Sequence, residues 1–259
     1  KNDENLIPLD KTKRVFVQRA KIVQAVRNVL DKRGFVEVET PLIQPLYGGA
    51  SARPFTTHSN ALDQDMYLNI SPELYLKRLT IGNMEKVYTI CKNFRNEDID
   101  KTHNPEFTMM ECYAAYADYN DMMELTEELF REACKAVHGN TLFTYNGQPF
   151  DLSKPWPRIT MKEAIKKFGD VDVDAYSDAE LLAKLEALGH RMDGPKLRGL
   201  IINELFEAVG EKHLIAPTHL IDHPYETVPL CKGHRTQKGL IERFESFING
   251  WELANAYSE

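Results

Sequence analysis

Near its end the chain reads Arg243-Phe-Glu-Ser-Phe-Ile248, then Asn249-Gly250, then Trp251 to Tyr257. Asn-Gly between two apolar-rich runs suits a two-residue turn with both central residues at positive φ, which commits the runs to one antiparallel hairpin. With that turn, Phe247 is expected opposite Glu252, and Glu245 opposite Ala254. Glu245 and Glu252 then become diagonal neighbours on one face. Two carboxylates at that separation repel, and a hard cation such as Mg²⁺ with phosphate oxygens would compensate them. Two exposed edge carboxylates are the alternative that spacing leaves open. In this register Asn255, Tyr257 and Glu259 fall on the other face, so lining one pocket with all five residues requires a bulge near Leu253 or Ala254.

The rest of the chain supplies strands and helices in separate groups. Lys86 to Arg95 and Glu106 to Tyr116 read as a second antiparallel pair with an unusually long connection. Ile22, Val23, Val26, Val29 and Leu30 recur at helical spacing and stop at Gly34. An alternating strand, Phe35 to Thr40, halts at Pro41. Ser71-Pro72-Glu73 is a helix start with Ser as the cap, and that helix should end near Gly82. A helix is expected over 119–137, with Met122, Leu125, Leu129 and Ala133 on one side. Thr160 with Glu163 and Ser177 with Glu180 are capping boxes, and a further helix runs near 197–209. The pattern predicts an α+β fold, an antiparallel sheet flanked by helices, over residues 1–259, with 160–212 as a helical insertion.

Charge and composition exclude several classes. The 259 residues carry 39 acidic and 32 basic side chains, a net charge of −7, so a protein that grips nucleic acid by bulk charge is excluded. At 42% apolar and 27% charged, with no long apolar run, the sequence is neither disordered nor membrane-spanning. The start, Lys1 to Asp10, is neither a secretory signal nor a transit peptide, and without an initiator Met the chain is expected to be a fragment. Cys91, Cys112, Cys134 and Cys231 show no paired spacing, so neither a disulfide framework nor a zinc cluster is expected. His58, His138, His190, His213, His219, His223 and His234 show no metal or triad spacing and read as surface or structural. Walker A, G-x-G-x-x-G and G-x-S-x-G patterns are absent.

Two further groups of residues point to a ligand. The loop Phe94-Arg95-Asn96-Glu97 through Lys101, His103-Asn104-Pro105-Glu106-Phe107 is polar enough to be a solvated surface. Yet Arg95 sits at a strand end that can fix its planar fork against carboxylate or phosphate, and Phe107 offers a flat face for a base. Such a hairpin mouth suits ATP. Alternation then puts Phe107, Met109, Glu111 and Tyr113 on one face. A mid-strand Glu among apolar neighbours is rarely buried without a cation. Glu111 is therefore either half of a structural ion pair or, beside the Tyr113 hydroxyl, a receptor for an ammonium group.

In its ordered motifs the chain resembles the catalytic domain of class II lysyl-tRNA synthetases. Arg33-Gly-Phe-Val-Glu-Val-Glu-Thr-Pro41 resembles the first class II motif. Phe94-Arg-Asn-Glu97 with His103-Asn-Pro-Glu-Phe107 resembles the second. Gly48-Gly-Ala-Ser-Ala-Arg-Pro-Phe55, Ser71-Pro-Glu-Leu-Tyr-Leu-Lys77, Glu111-Cys-Tyr-Ala-Ala-Tyr-Ala-Asp-Tyr119 and Trp251-Glu-Leu-Ala-Asn-Ala-Tyr-Ser-Glu259 also match. The aspartyl and asparaginyl enzymes share Phe-Arg-x-Glu but usually carry Gln-Ser-Pro-Gln where this chain has Ile70-Ser-Pro-Glu73.

The resemblance implies a role for each matching residue. Arg95 would hold the lysine carboxylate and the ATP α-phosphate. Glu97, His103 and Asn104 would contact ATP, with Phe107 stacking on adenine. Gly49, through its backbone, and Glu73 would receive the α-amino group. Glu111, Tyr113 and Glu259 would surround the ε-ammonium, with Asn255 and Tyr257 shaping the pocket. Glu245 and Glu252 would hold Mg²⁺, with ATP as co-substrate. The implied activity is lysine–tRNA ligation in the cytoplasm, acting on L-lysine, ATP and the acceptor end of tRNA(Lys). Pro41 and its helix would serve a homodimer interface, and no membrane partner is implied.

Three departures from the family pattern are visible. Asp98 stands where the family normally has Gly. The glycine-rich third motif with its ATP-clamping Arg, and the N-terminal anticodon-binding β-barrel, are not in the sequence. The expectation is a catalytic domain truncated after Glu259. The alternatives are a non-catalytic lysine-binding or interaction module, and a paralogue that lysylates a protein.

Overall fold

A computed structural model describes residues 9–100, 103–228 and 230–259. Lys1 to Pro8, and Lys101 of the polar loop, lie outside the described residues. In chain order the elements are α1 (Leu9–Lys32), β1 (Val36–Glu37), β2 (Ile43–Gln44), β3 (Thr56–Ser59), β4 (Gln64–Leu68), α2 (Glu73–Ile81), β5 (Lys86–Phe94) and β6 (Glu106–Ala114). They continue with α3 (Tyr119–His138), β7 (Leu142–Tyr145), β8 (Gln148–Asp151), β9 (Arg158–Thr160), α4 (Met161–Gly169), α5 (Asp178–Ala187), α6 (Arg198–Val209), β10 (Thr218–Pro224), β11 (Leu240–Ile248) and β12 (Trp251–Tyr257). Pairing is antiparallel except where β1 joins β5 and β9 joins β10. The fold is α+β, as the grouping of elements predicts.

The chain divides into two compact bodies. One is Arg27–Tyr116; the other combines the described part of Lys1–Val26 with Ala117–Glu259. The first holds the sheets β1-β5-β6 and β2-β4-β3, and its buried residues include Leu30, Phe35, Ile70, Leu76, Val87 and Tyr88. Asn69, fully buried, ties these sheets together. Its backbone N–H donates to Leu42 O and its carbonyl accepts from Phe94 N–H. Its side chain accepts from Gln44 Nε2 (2.8 Å) and donates to Asn93 Oδ1 (2.6 Å). A buried amide is tolerable only when its donors and acceptor are used in this way.

In the second body, the sheet β12-β11-β10-β9 is covered by α4, α5 and α6 through Met161, Ile165, Leu181, Leu185, Ile201, Leu205, Phe206, Leu220 and Phe247. Both capping boxes form: Thr160 and Ser177 accept from the backbone N–H of Glu163 and Glu180, whose carboxylates reach back. The second body also contains a hairpin, β7–β8, that the sequence reading missed although its turn is Asn146-Gly147 at φ 49° and 79°.

One expectation needs correction. The strand expected over Phe35–Thr40 is a ladder of only Val36 and Glu37, extended by one bond from Val38 N–H to Tyr88 O. The Glu37 carboxylate is taken by Arg27 instead, at 2.9 Å. At the start of α2, Pro72 already has helical φ and ψ (−79° and −1°), and the Ser71 hydroxyl accepts from Glu73 N–H at 3.2 Å, the bond expected of a Ser cap.

The Thr160 cap gives a local test. Thr160→Ala should lower the unfolding free energy by about 1 kcal/mol, and Thr160→Ser should restore it, as read by urea denaturation midpoints. Equal stability of the wild type and Thr160→Ala would contradict the capping account.

Candidate active site

In the Arg27–Tyr116 body, β5 and β6 pair without a register break from Lys86↔Ala114 to Phe94↔Glu106. That register leaves Glu111 and Tyr113 on one face. The Glu111 carboxylate accepts from Ser71 Oγ at 2.9 Å and from Tyr113 Oη at 3.3 Å. No Lys, Arg or His among the described residues forms an ion pair with it; Arg95 acts only as a weak favourable charge. Burial pushes its pKa up to about 7, and the nearby charge of Glu73 adds to the rise. Glu111 is thus a carboxylate with good acceptor geometry and too little positive charge around it.

Glu73 is 5% exposed, and its carboxylate is bonded by Lys77 Nζ from the next turn of α2 at 2.5 Å. Gly49, at φ +86°, lies against the same turn. A Cβ there would sit 2.9 Å from Glu73 Cβ and 3.1 Å from Ser71 Oγ. Only glycine permits this backbone approach, which leaves the Gly49 peptide beside Ser71 and Glu73.

Arg95 follows β5 directly, its backbone N–H donating to Pro105 O. Its guanidinium lies 5.3 Å from the Phe107 ring centroid, and its buried Nε has no hydrogen-bond partner among the described residues. A buried donor without an acceptor is destabilising, and an anionic oxygen would satisfy it. Glu97 accepts from Arg53 N–H at 3.1 Å. His103 bonds Asp100 within its own loop through Nδ1 at 2.8 Å, and Asn104 is exposed.

In the other body, the terminal hairpin forms as expected at its turn, with Asn249 and Gly250 at φ 58° and 72°. Phe247 pairs with Glu252. The expected pairing of Glu245 with Ala254 does not form. A bulge at Leu253 advances the strand by one residue, so Glu245 faces Asn255 and Arg243 faces Tyr257. That single extra residue brings Glu245, Glu252, Asn255 and Tyr257 to one face, the condition the sequence set for a shared pocket. Glu259, exposed, lies beyond the end of β12.

Glu245 and Glu252 line a cavity of about 220 Å³ with Asn203, Glu207, Glu211 and Arg243. Burial pushes the Glu245 carboxyl up to about 7; Arg243 opposes this, while Glu252, Glu207 and Glu211 reinforce it. Glu207 and Glu211 are also raised, first by burial and then by neighbouring carboxylates. Among the described residues no three ligand-type side chains are arranged to hold a metal alone. Two carboxylates in an acidic cavity nevertheless fit Mg²⁺, which commonly takes one or two carboxylates and draws its other oxygens from phosphate and water.

Sequence reasoning missed Ser71 as a partner of Glu111, and Glu207, Glu211 and Arg243 as cavity residues. Alternation from Glu245 would have found Arg243. No local signal links α6 to the hairpin.

The raised pKa of Glu111 has a thermodynamic consequence. The native state holds a proton that the unfolded chain releases above about pH 4. The resulting stability is full below that pH and is lost as pH rises through about 7. Glu111→Gln removes this loss. Relative to wild type it should gain on the order of 2–3 kcal/mol between pH 5 and 8 in urea unfolding. A difference that stays flat with pH would contradict the raised pKa.

The sequence matches the tRNA synthetases class II (D, K and N) over residues 6–259. It is 51% identical over 98% of its length to a lysine–tRNA ligase of Methanoculleus marisnigri, covering 50% of that protein. It is 51% identical to one of Moorella thermoacetica, covering 52% of it, and 49% identical to the heat-inducible lysine–tRNA ligase of Escherichia coli, covering 51% of it, each over 98% of this chain. The chain spans about half the length of these curated relatives. With a match along nearly its whole sequence and an α+β fold, the chain belongs to the class II tRNA synthetases of the D, K and N group.

Proposed function

We propose that the chain carries the lysine-activating part of a lysine–tRNA ligase, which joins L-lysine to ATP and passes the lysyl group to the acceptor end of tRNA(Lys). The observation that carries this reading is Glu111: a carboxylate held by the Ser71 and Tyr113 hydroxyl donors yet short of positive charge, as an ammonium ligand requires. Similarity to several lysine–tRNA ligases supports it. Residues 160–212 are read as a helical insertion in this catalytic region.

The residues of the first body bind and orient. Glu111 and Tyr113 receive the ε-ammonium, while Glu73 and the Gly49 backbone receive the α-amino group. Arg95, whose Nε has no acceptor of its own, draws the lysine carboxylate and an α-phosphate oxygen to one guanidinium. Phe107 stacks on adenine, and Glu97, His103 and Asn104 contact the nucleotide. The carboxylate oxygen then attacks the α-phosphorus in line, and pyrophosphate departs with the electrons of the broken P–O bond. The tRNA 3′-terminal hydroxyl next attacks the carbonyl carbon and AMP leaves. No protein nucleophile is needed; alignment and charge neutralisation lower the barrier.

In the second body, Asn255, Tyr257 and Glu259 are the residues to which the family resemblance gives a part in lysine recognition. Glu245 and Glu252 would hold Mg²⁺, which when bound offsets charge on the phosphate oxygens. Val15, Phe16 and Val17 on α1 are exposed apolar residues, as are Ile43, Leu46 and Tyr47 in the first body. They support a homodimer in which a second copy covers apolar surface. No helix among the described residues is long and apolar enough to cross a membrane; a cytoplasmic location follows from the ligase reading.

The test is lysine-dependent exchange of pyrophosphate into ATP by the full-length protein. Exchange at saturating lysine and Mg²⁺ is expected, and its absence refutes the reading. Glu259→Gln should raise the lysine requirement at least tenfold with little change in that for ATP, whereas an equal loss of both would remove Glu259 from the lysine pocket.

A further inference from the structure

Within the Arg27–Tyr116 body, one oxygen joins two of the acidic residues described above. Ser71 Oγ accepts from Glu73 N–H at 3.2 Å and donates to Glu111 Oε1 at 2.9 Å. A hydroxyl has a single proton and two lone pairs. The Glu73 amide occupies a lone pair, and the proton goes to Glu111, so both bonds run through the same atom at once.

The two donors to Glu111 do different things. Tyr113 lies two residues along the same strand, β6, and its bond to Glu111 Oε2 orients the carboxylate only relative to that strand. Ser71 reaches Glu111 from the start of α2, so its bond fixes Glu111 relative to Glu73. Ser71 is itself a fixed point. It is buried, and Asn69, two residues back, is held through its backbone to Leu42 and Phe94. Gly49 comes so close that a Cβ there would stand 3.1 Å from Ser71 Oγ, which leaves the side chain little room to swing aside. The charge of Glu73 opposes an ionised Glu111, so without the shared hydroxyl the two carboxylates would tend to separate.

We infer that Ser71 is a positioning residue that sets the distance between the receptor for the α-amino group and the receptor for the ε-ammonium, and so selects lysine over L-ornithine, its homologue one methylene shorter. The inference rests on the lysine reading above and gives a specificity role to a residue that need not touch the ligand. A missing methylene alone costs a ligand only about 10- to 200-fold in a pocket that holds its shape. A receptor free to follow the shorter chain would give up much of even that.

Calorimetric titration of the full-length protein with L-lysine and with L-ornithine tests it, using the wild type, Ser71→Ala and Ser71→Cys. Alanine removes the hydroxyl, while cysteine keeps similar bulk but offers only a weak donor. Both variants should weaken lysine binding about tenfold, the usual worth of a hydrogen bond to a charged group. Ornithine, which cannot span the fixed gap, should change less than threefold, so the preference for lysine falls about tenfold in both. Equal losses for the two ligands, complete loss of binding by both variants included, would make Ser71 merely structural. Recovery of lysine binding in Ser71→Cys alone would assign the effect to packing. An unchanged preference in both variants, or a wild type without any preference, would remove Ser71 from specificity. Each of these overturns the inference with the lysine reading intact. Failure of the wild type to bind lysine at all would overturn that reading and this inference with it.

Discussion

A carboxylate on the inner side of a strand is destabilising whenever it is charged, unless positive charge or several donors are brought to it. Glu111 has the donors, from Ser71 and Tyr113, but little of the charge. Much of the Arg27–Tyr116 body is arranged around that shortfall. The Ser71 hydroxyl accepts from Glu73 N–H at the start of α2 and donates to Glu111. Gly49 approaches the same turn so closely that no side chain fits. Asn69, two residues before Ser71, fixes the segment by using its backbone and side-chain groups on both neighbouring sheets. The outcome is a carboxylate fixed by two hydroxyl donors with little positive charge beside it, the feature on which the proposed ammonium site rests.

The second body shows the same charge logic in another form. Glu245, Glu252, Glu207 and Glu211 share one cavity, and Arg243 is the nearest compensation for Glu245. The geometry depends on one extra residue in β12. Without the bulge, Asn255 and Tyr257 would turn to the opposite side of the sheet and leave Glu245 facing alanine. A device worth one residue of register thus decides which side chains share a face.

Much of this was legible in the sequence because it is local. The Asn249-Gly250 turn, the two capping boxes and the alternation of β6 each follow from residues a few positions apart, and each appears as read. The bulge was legible only as a condition, because nothing in Trp251–Tyr257 says where an unpaired residue must fall. The short strands β2, β3 and β4 escaped notice since their ladders rest on partners such as Asn69 and Phe55 and carry no apolar period of their own. Ser71 was only half legible: Ser-Pro-Glu signals the bond from Glu73 N–H, but the donation to Glu111, forty residues on, has no local signal. Side chains that meet from α6 and the hairpin have no sequence signature at all.

The central claim is that Glu111 waits in a partly protonated state for a cation. Carbon-13 NMR titration of the Glu111 carboxyl, in the protein with and without saturating lysine, measures this directly. A pKa near 7 in the free protein that falls below about 5 with lysine bound is the predicted result, because an adjacent ammonium favours the charged carboxylate. A Glu111 that titrates as an ordinary carboxylate, or one whose pKa does not move when lysine is added, would contradict the account.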